Sequence, residues 1–505
     1  MAKFKINVYV EFTECDDVVS KEPILNDNGS FSMTISENSA ISIDKVEKSV
    51  LQTAYPTIRK AVEQHLSDIS KKKALEQGKG KGQIVTNSSL YQVDGEIGRF
   101  SFATHNLVQD DKIQFNTAQD IFKPLKSREI YKTAGFKDMA MIYGDTDLSF
   151  LKTVKLINHV RYQETGGTPS RTLHECTESE GRKIQNIMEE KTATILATNG
   201  FSPKGECLES NPQYANQQPE TIQLETIKIA AEKYCIDNNI DHDLLSNPVP
   251  YEDTANTTNV AIDDVVVKKQ EEKRESGKKD TRGKRKYVHN TISHISKEDK
   301  GSYVLNGHNT RTVLLFVTAF LLSNKLIGTR IQFFTDGHKT LNETILKMFS
   351  WYKNIGIILD WYHLVKKCKE QLSMASKGRV IRNEILDNLK PLLWCGSTDM
   401  AIAYLEGISS DLLKNKVILK KLIEYLQRNK PYTPCYAVRK ELGLCNSSAI
   451  SEKMNDIIVS KRQKHNGMSW SKAGSVSLAT ISALKRNKES DKWFEEEDLE
   501  FKLAA

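Results

Sequence analysis

The sequence predicts an α/β protein built on a mixed sheet, and three observations predict it. An apolar run, Ile331-Gln332-Phe333-Phe334, ends on Thr335-Asp336-Gly337. A helical pattern follows, with Leu341, Ile345, Met348 and Phe349 on one face. A second apolar run, Ile355 to Leu359, stops on Asp360. Two apolar runs joined by an amphipathic helix make a βαβ unit with parallel strands. Ligands of such sheets gather at the carboxyl ends of the strands. Asp336 and Asp360 stand at those ends, although solubilising aspartates at strand ends are the plainer alternative.

Three strand patterns precede this unit. Val260 to Val267 is a β-rich run interrupted by Asp263 and Asp264, Lys286 to Ile295 alternates, and Ser302 to Leu305 is short. An apolar helix from about Thr310 to Leu326 follows. The resulting order, β-β-β-α-β-α-β-α, is that of an RNase H-like mixed sheet flanked by helices. Beyond Leu364 the pattern is helical, which predicts a helical insertion over 376–444 that leaves through Pro431 and Pro434. Further helices are expected at about Ile450–Arg462 and Lys472–Arg486. The catalytic domain is thus expected in two parts, 255–375 and 445–490, with a tail at 491–505.

The region before residue 255 divides in two. Residues 1–135 predict a small α+β region of unknown role. It has a strand at Phe4–Phe12, a helix at Ile43–Ile69 that Pro56 should kink or split, a loop at Lys71–Gly82 and short strands over 84–130. Residues 136–250 are mainly helical. A helix over Asp145–Tyr162, a turn at Glu164–Gly167 and a second helix from Thr168 as N-cap to about Ala197 have the form of a helix-turn-helix. Arg171 would then face DNA, but an ordinary helical hairpin fits the pattern equally well. The prolines of Asn247–Tyr251 mark a linker.

Size and composition set limits. A chain of 505 residues implies roughly three domains. The longest apolar run, Val313–Leu322, is broken by Thr318 and falls short of the ~18 residues of a membrane span. The first residues lack the apolar stretch and cleavage site of a secretory signal. The expectation is a cytoplasmic protein without membrane contact. The eight cysteines form no CxxC pair, so neither zinc nor a disulfide framework is expected. A net charge of +7 is compatible with nucleic acid without requiring it. The basic run between the first two strands, which includes Lys284 and Arg285, reads as an exposed hairpin extension.

An acid inside a Val/Ile strand needs a cause, because an unpartnered buried carboxylate costs several kcal/mol. Asp263 and Asp264 point to opposite faces, so one can meet a metal while the other meets solvent. In an RNase H-like sheet the first strand lies beside the fourth, which would bring one of them to Asp336. Two convergent carboxylates suit Mg²⁺ or Mn²⁺, and a third would complete a two-ion site for displacement at a phosphodiester. Glu452 is the candidate third acid. Yet Ile450, Met454, Ile457 and Ile458 form the apolar stripe of its helix, and Glu452 falls opposite them. Spacing alone equally supports a solvated first-turn glutamate.

The segments IDDVVVKKQ, FFTDGHKTL, ILDWYHLVKK and SEKMNDIIVSKRQKHNGMSWSKAGSVSLATISALKRN, in this order with a helical stretch before the last, resemble bacterial insertion-sequence transposases of the DDE type. The resemblance covers about 255–490 and reaches loosely to Ser170-Arg171-Thr172. It implies a catalytic, metal-binding triad of Asp263, Asp336 and Glu452, with Asp264 the rival for the first place. Asp360 and His363 match an Asp-x-x-His after the fifth strand and would support the site, although packing is the commoner fate of a lone histidine. Lys461, Arg462 and Lys464 would hold the DNA backbone, and the basic run with Lys284 and Arg285, next to such a site, would contact phosphates. Trp470 would stack on a base or DNA end, or else belong to the core.

The function expected from these residues is DNA transposition. Mg²⁺ or Mn²⁺, as two ions, would serve cleavage at the element's terminal repeats and strand transfer into target DNA, in a homo-oligomer that joins two ends. The alternatives are a transposase-derived DNA-binding protein without catalysis and an RNase H-like nuclease.

Overall fold

A four-stranded and a five-stranded sheet organise the chain, one in each of two units, Met1–Cys176 and Thr177–Ala505. The computed structural model describes residues 24–25, 31–32, 34, 43–78, 84–109, 112–123, 125–126, 129–208, 222–245, 251–270, 287–298, 300–447, 453–464 and 468–503. The expected strand Phe4–Phe12 lies outside the described residues.

In the first unit, helix α1 (Ile43–Gly78) runs unbroken through Pro56, so the proline does not split it. Lys71–Lys73, expected in a loop, are part of this helix. The strands that follow are longer than expected: β1 (Ile84–Gly95) and β2 (Gly98–Gln109) form a hairpin, joined by β3 (Lys112–Asn116) and β4 (Tyr131–Lys132) in the order β3-β2-β1-β4. Tyr91, Val93, Phe100 and Phe102 on the hairpin pack against Val62 and Leu66, which fixes one face of the sheet on α1.

Helices α2 (Ala134–Gly144) and α3 (Phe150–Val160) each start at a hydroxyl cap, Thr133 and Ser149. The Ser149 cap explains why α3 begins later than the expected Asp145. Helix α4 (Ser170–Thr198) contains the division between the units. Thr168 does not cap it: its hydroxyl donates to the buried Asp94 carboxylate at 2.9 Å. Asp94 also accepts from Arg99 at the hairpin turn, so the turn between α3 and α4 is held to the sheet by charge-assisted hydrogen bonds.

In the second unit, α5 (Leu224–Asn238) precedes the five-stranded sheet. Its strands are β5 (Thr257–Lys268), β6 (Tyr287–Lys297), β7 (Gly301–Gly307), β8 (Arg330–Thr335) and β9 (Ile355–Leu359). Their order is β9-β8-β5-β6-β7. β5, β6 and β7 pair antiparallel in sequence, while β8 lies parallel between β5 and β9. The first strand therefore neighbours the fourth, as the element order predicts.

Helices cover both faces. α6 (Thr310–Ser323), buried nearly throughout, packs on β6 and β7, and α7 (Lys339–Met348) packs beside it. Next come α8 (Trp361–Ala375), α9 (Arg379–Trp394), α10 (Thr398–Glu406), α11 (Lys416–Asn429) and α12 (Tyr436–Glu441). Their shared core, with Leu364, Leu389, Leu405 and Leu422, is continuous with Ala261, Phe334, Ile358 and Leu359 of the sheet. The helical stretch is thus fused to one sheet face.

A helical segment, α13, spans residues 453–463 and lies against β5. α14 (Lys472–Arg486) covers β6 and β7, and α15 (Ser490–Glu496) ends the chain's regular structure. α14 meets the sheet through small and amide side chains. Asn290 donates to Ser475, and Asn306 donates to Thr480. On its other side α4 approaches so closely that a Cβ at Gly181 would stand 2.4 Å from the Ser477 carbonyl oxygen. Among the described residues no helix is long and apolar enough to cross a membrane.

Candidate active site

The register of the central strands puts three acids in one row. Phe334 pairs with Ala261, and two residues further on each strand stand Asp336 and Asp263. Thr335 pairs with Leu359, and the next residues are Asp336 and Asp360. Asp336 and Asp360 directly follow the last residues of β8 and β9, whereas Asp263 lies within β5, two residues past its last pairing with β8, and their surroundings differ.

Asp263 shares its face with Ala261 and points toward the helical layer. Its Oδ2 accepts from Asn455 Nδ2 at 2.6 Å, and His363 Nε2 stands 3.8 Å from the same oxygen. Its Oδ1 accepts the backbone N–H of Asp264. Burial pushes its carboxyl up to about 6; His363 pulls it back down, and the Asp336 charge raises it further. Asp264 turns to the opposite face, where it is exposed and accepts from the Thr291 hydroxyl on the neighbouring strand.

Asp336 is half-buried on a tight turn, where its Oδ1 accepts from the His338 N–H at 2.8 Å. The turn requires Gly337. Its φ is +77°, and a Cβ there would stand 2.8 Å from Leu359 Cδ1 and 2.9 Å from Asn429 Oδ1. The Asp336 carbonyl oxygen accepts from the Tyr425 hydroxyl of α11. Asp336 lines two grooves. One, of about 1020 Å³, also touches Asp263, Asp264, His289 and Arg311, and the other, of about 410 Å³, runs between α8 and α11.

Asp360 is 1% exposed and serves the backbone. It caps α8 by accepting the His363 N–H at 3.1 Å, and it accepts the Ser447 hydroxyl at 3.2 Å. Capping aims the first turn of α8, so Asp360 sets the position from which His363 reaches Asp263.

Asn455 was not legible from spacing. The expected stripe of α13 used Ile457, whereas the buried residues are Met454, Asn455, Ile458, Val459, Arg462 and Gln463. A π-helical turn over Asp456–Ser460 explains the difference: its wider winding rotates the face away from a 3.6-residue period. The one signal available was a polar residue inside an apolar helix. Asn455 Oδ1 is buried and makes no hydrogen bond. Among the described residues no group of three or more His, Cys, Asp and Glu side chains is gathered closely enough to hold a metal ion. Glu452 lies outside the described residues.

The residues expected to meet DNA divide by burial. Trp470 is 4% exposed, donates its indole N–H to the Gln463 carbonyl oxygen, and has the Arg462 guanidinium 5.1 Å from its ring centre. Its main chain pairs with Lys268 and Gln270 beyond the end of β5. Trp470 and Arg462 are therefore interior residues: Trp470 takes the core alternative, and the expected DNA contact of Arg462 gives way to packing on its ring. Lys461 is exposed on α13 and Lys464 is exposed just past its end. Arg171 is exposed and paired with Glu175 at 2.7 Å. Lys284 and Arg285 lie outside the described residues.

No protein-family model matches the chain, and no curated protein matches it. Among solved structures it is similar to a Drosophila P element transposase strand transfer complex. The two are 11% identical, the match covers 77% of this chain and 85% of that one, and the TM-score is 0.20. At that score the likeness carries no inference.

Proposed function

We propose that the chain is a DNA transposase of the bacterial insertion-sequence type, with an RNase H-like catalytic domain and a DDE triad of Asp263, Asp336 and Glu452. One observation carries this reading: Asp336, just past the end of the fourth strand, stands level with Asp263 within the neighbouring first strand of a sheet ordered β9-β8-β5-β6-β7. The motif resemblance of residues 255–490 points the same way.

The residues present fit an oxygen-liganded divalent cation. Asp263 is a half-buried carboxylate raised first by burial and further by its neighbour Asp336, and Asn455 Oδ1 is a buried oxygen that makes no hydrogen bond. Mg²⁺ or Mn²⁺ would be held by Asp263 and Asp336, with Glu452 as the third ligand. When bound, the ions would supply Lewis-acid stabilisation of charge at the attacking and leaving oxygens of the phosphodiester.

The chain's own residues orient that chemistry. Asn455 and His363 hold Asp263 Oδ2 from two sides, which fixes one carboxylate rotamer before substrate arrives. Tyr425 and Gly337 fix the turn that presents Asp336. Asp264, on the opposite face of β5 and bonded to Thr291, is left out of the triad. The substrates would be the terminal repeats of the element and then target DNA, in an oligomer that brings two ends together.

The test is an assay of the full chain with DNA carrying the repeats that flank its coding sequence. Mg²⁺-dependent nicking and joined products are expected, both abolished by Asp336→Ala and by Glu452→Ala. Cleavage unaffected by these changes would overturn the triad. Cleavage without joined products would reduce the reading to a nuclease, and metal-independent binding without nicking to a DNA-binding protein.

A further inference from the structure

The cleft between α8 and α11 begins at Asp336 and His363 and continues past Lys366, Lys367, Lys421 and Arg428. Tyr425 underlies it. The Lys367 ammonium and the Arg428 guanidinium lie 5.9 and 5.6 Å from the centre of the Tyr425 ring. One ring thus draws cations from two different helices toward the same side of the acid site. Glu370 and Glu424 also line the cleft, yet among the described residues no ion pair engages Lys367, Lys421 or Arg428. Lys421 and Arg428 are exposed, so an incoming anion can reach them without moving the core.

The charges change sign along this cleft. Its inner end is acidic, and its length carries four cations against two carboxylates. A strand of phosphates needs positive charge all along its path. At the reacting phosphate, bound metal ions would supply it; at the unreactive phosphates, only fixed cations can. We propose that the α8–α11 cleft seats the backbone phosphates of the DNA strand whose reacting phosphate faces Asp263 and Asp336. The inference rests on the DNA reading above and adds the path of the strand: it leaves the carboxylates across Tyr425, along the helical layer.

The test uses the full chain, chelator to remove divalent ions, and a duplex oligonucleotide titrated across a range of salt concentrations. The double variant Lys421→Gln/Arg428→Gln should bind more weakly. Its salt dependence should be shallower by about 1.8 in log–log slope, at ~0.9 per lost phosphate contact. Arg428→Lys should keep the wild-type slope. The control Lys414→Gln/Lys416→Gln removes two exposed cations of the same helical layer outside the cleft and should change little. Unchanged slope in the cleft variant, with wild-type protein binding DNA, would overturn the strand path alone. An equal loss in the control would also overturn it, because the effect would then be one of total charge. Wild-type protein that binds no DNA would overturn the functional reading itself.

Discussion

The Tyr425 hydroxyl donates to the carbonyl oxygen of Asp336 at 2.9 Å, across 89 residues of sequence. Tyr436 does the same for Leu359, the last residue of β9, at 2.6 Å. Two tyrosines of the helical layer thus fasten the ends of the two strands that present Asp336 and Asp360. Tyr425→Phe keeps the ring under Lys367 and Arg428 and removes only the hydrogen bond. We expect a stability loss of about 1 kcal/mol in urea unfolding. DNA cleavage should lose rate at saturating substrate, with little change in the concentration for half-maximal rate. A loss confined to substrate affinity would place Tyr425 in binding and not in the positioning of Asp336.

Asp263 makes stability depend on pH. Its folded value, about 6, lies above its ordinary 3.8. Between those values the native chain keeps a proton that the unfolded chain has released, so stability falls as pH rises through this window. A shift of about two units corresponds to ~3 kcal/mol of strain at neutral pH. In metal-free buffer, Asp263→Asn should therefore be more stable than wild type above pH 6, and the gain should vanish near pH 4. Thermal melts across pH 4 to 8 check this, and an offset independent of pH would show that carboxylate strain is not its source.

Arg439 and Glu252 form a fully buried pair, with Arg439 Nη1 donating to Glu252 at 2.7 Å and its guanidinium also reaching the Cys445 carbonyl oxygen. The pair ties the approach to β5 to the segment leading toward α13. Arg439→Ala should cost about 3–5 kcal/mol, because it leaves Glu252 buried and uncompensated. Arg439→Met combined with Glu252→Gln should recover much of that loss. Denaturant midpoints of the single and double variants decide; a double variant as unstable as Arg439→Ala would mean that the bonds to Cys445 carry the effect.

The second unit was legible in sequence where local pattern decides structure. Apolar runs at Val260–Val267, Ile331–Phe334 and Ile355–Leu359 became strands, and their order put Asp263 beside Asp336. Contacts between distant segments left no such pattern. Tyr425 and Tyr436 looked like ordinary residues of an amphipathic insertion, because only folding brings them to the strand ends. Asn455 was hidden by a change of helical period, and Trp470 and Arg462 by burial that a basic, aromatic stretch does not announce. Pro56 and Lys71–Lys73 fell within a helix whose continuity outweighed local propensity. Asp263 and Asp264 could not be told apart by chemistry, and it was the face each occupies that separated them.

The bond from Asn455 to Asp263 joins positions 192 residues apart. During synthesis, β5 leaves the ribosome long before α13 exists. Through that interval Asp263 lacks its orienting amide and the helical layer is incomplete. A chain cut short anywhere before residue 455 would carry the strand acids without the group that sets the Asp263 rotamer. The order of the chain therefore acts as a timer: Asp263 receives its orienting amide only after every strand of its sheet has been made.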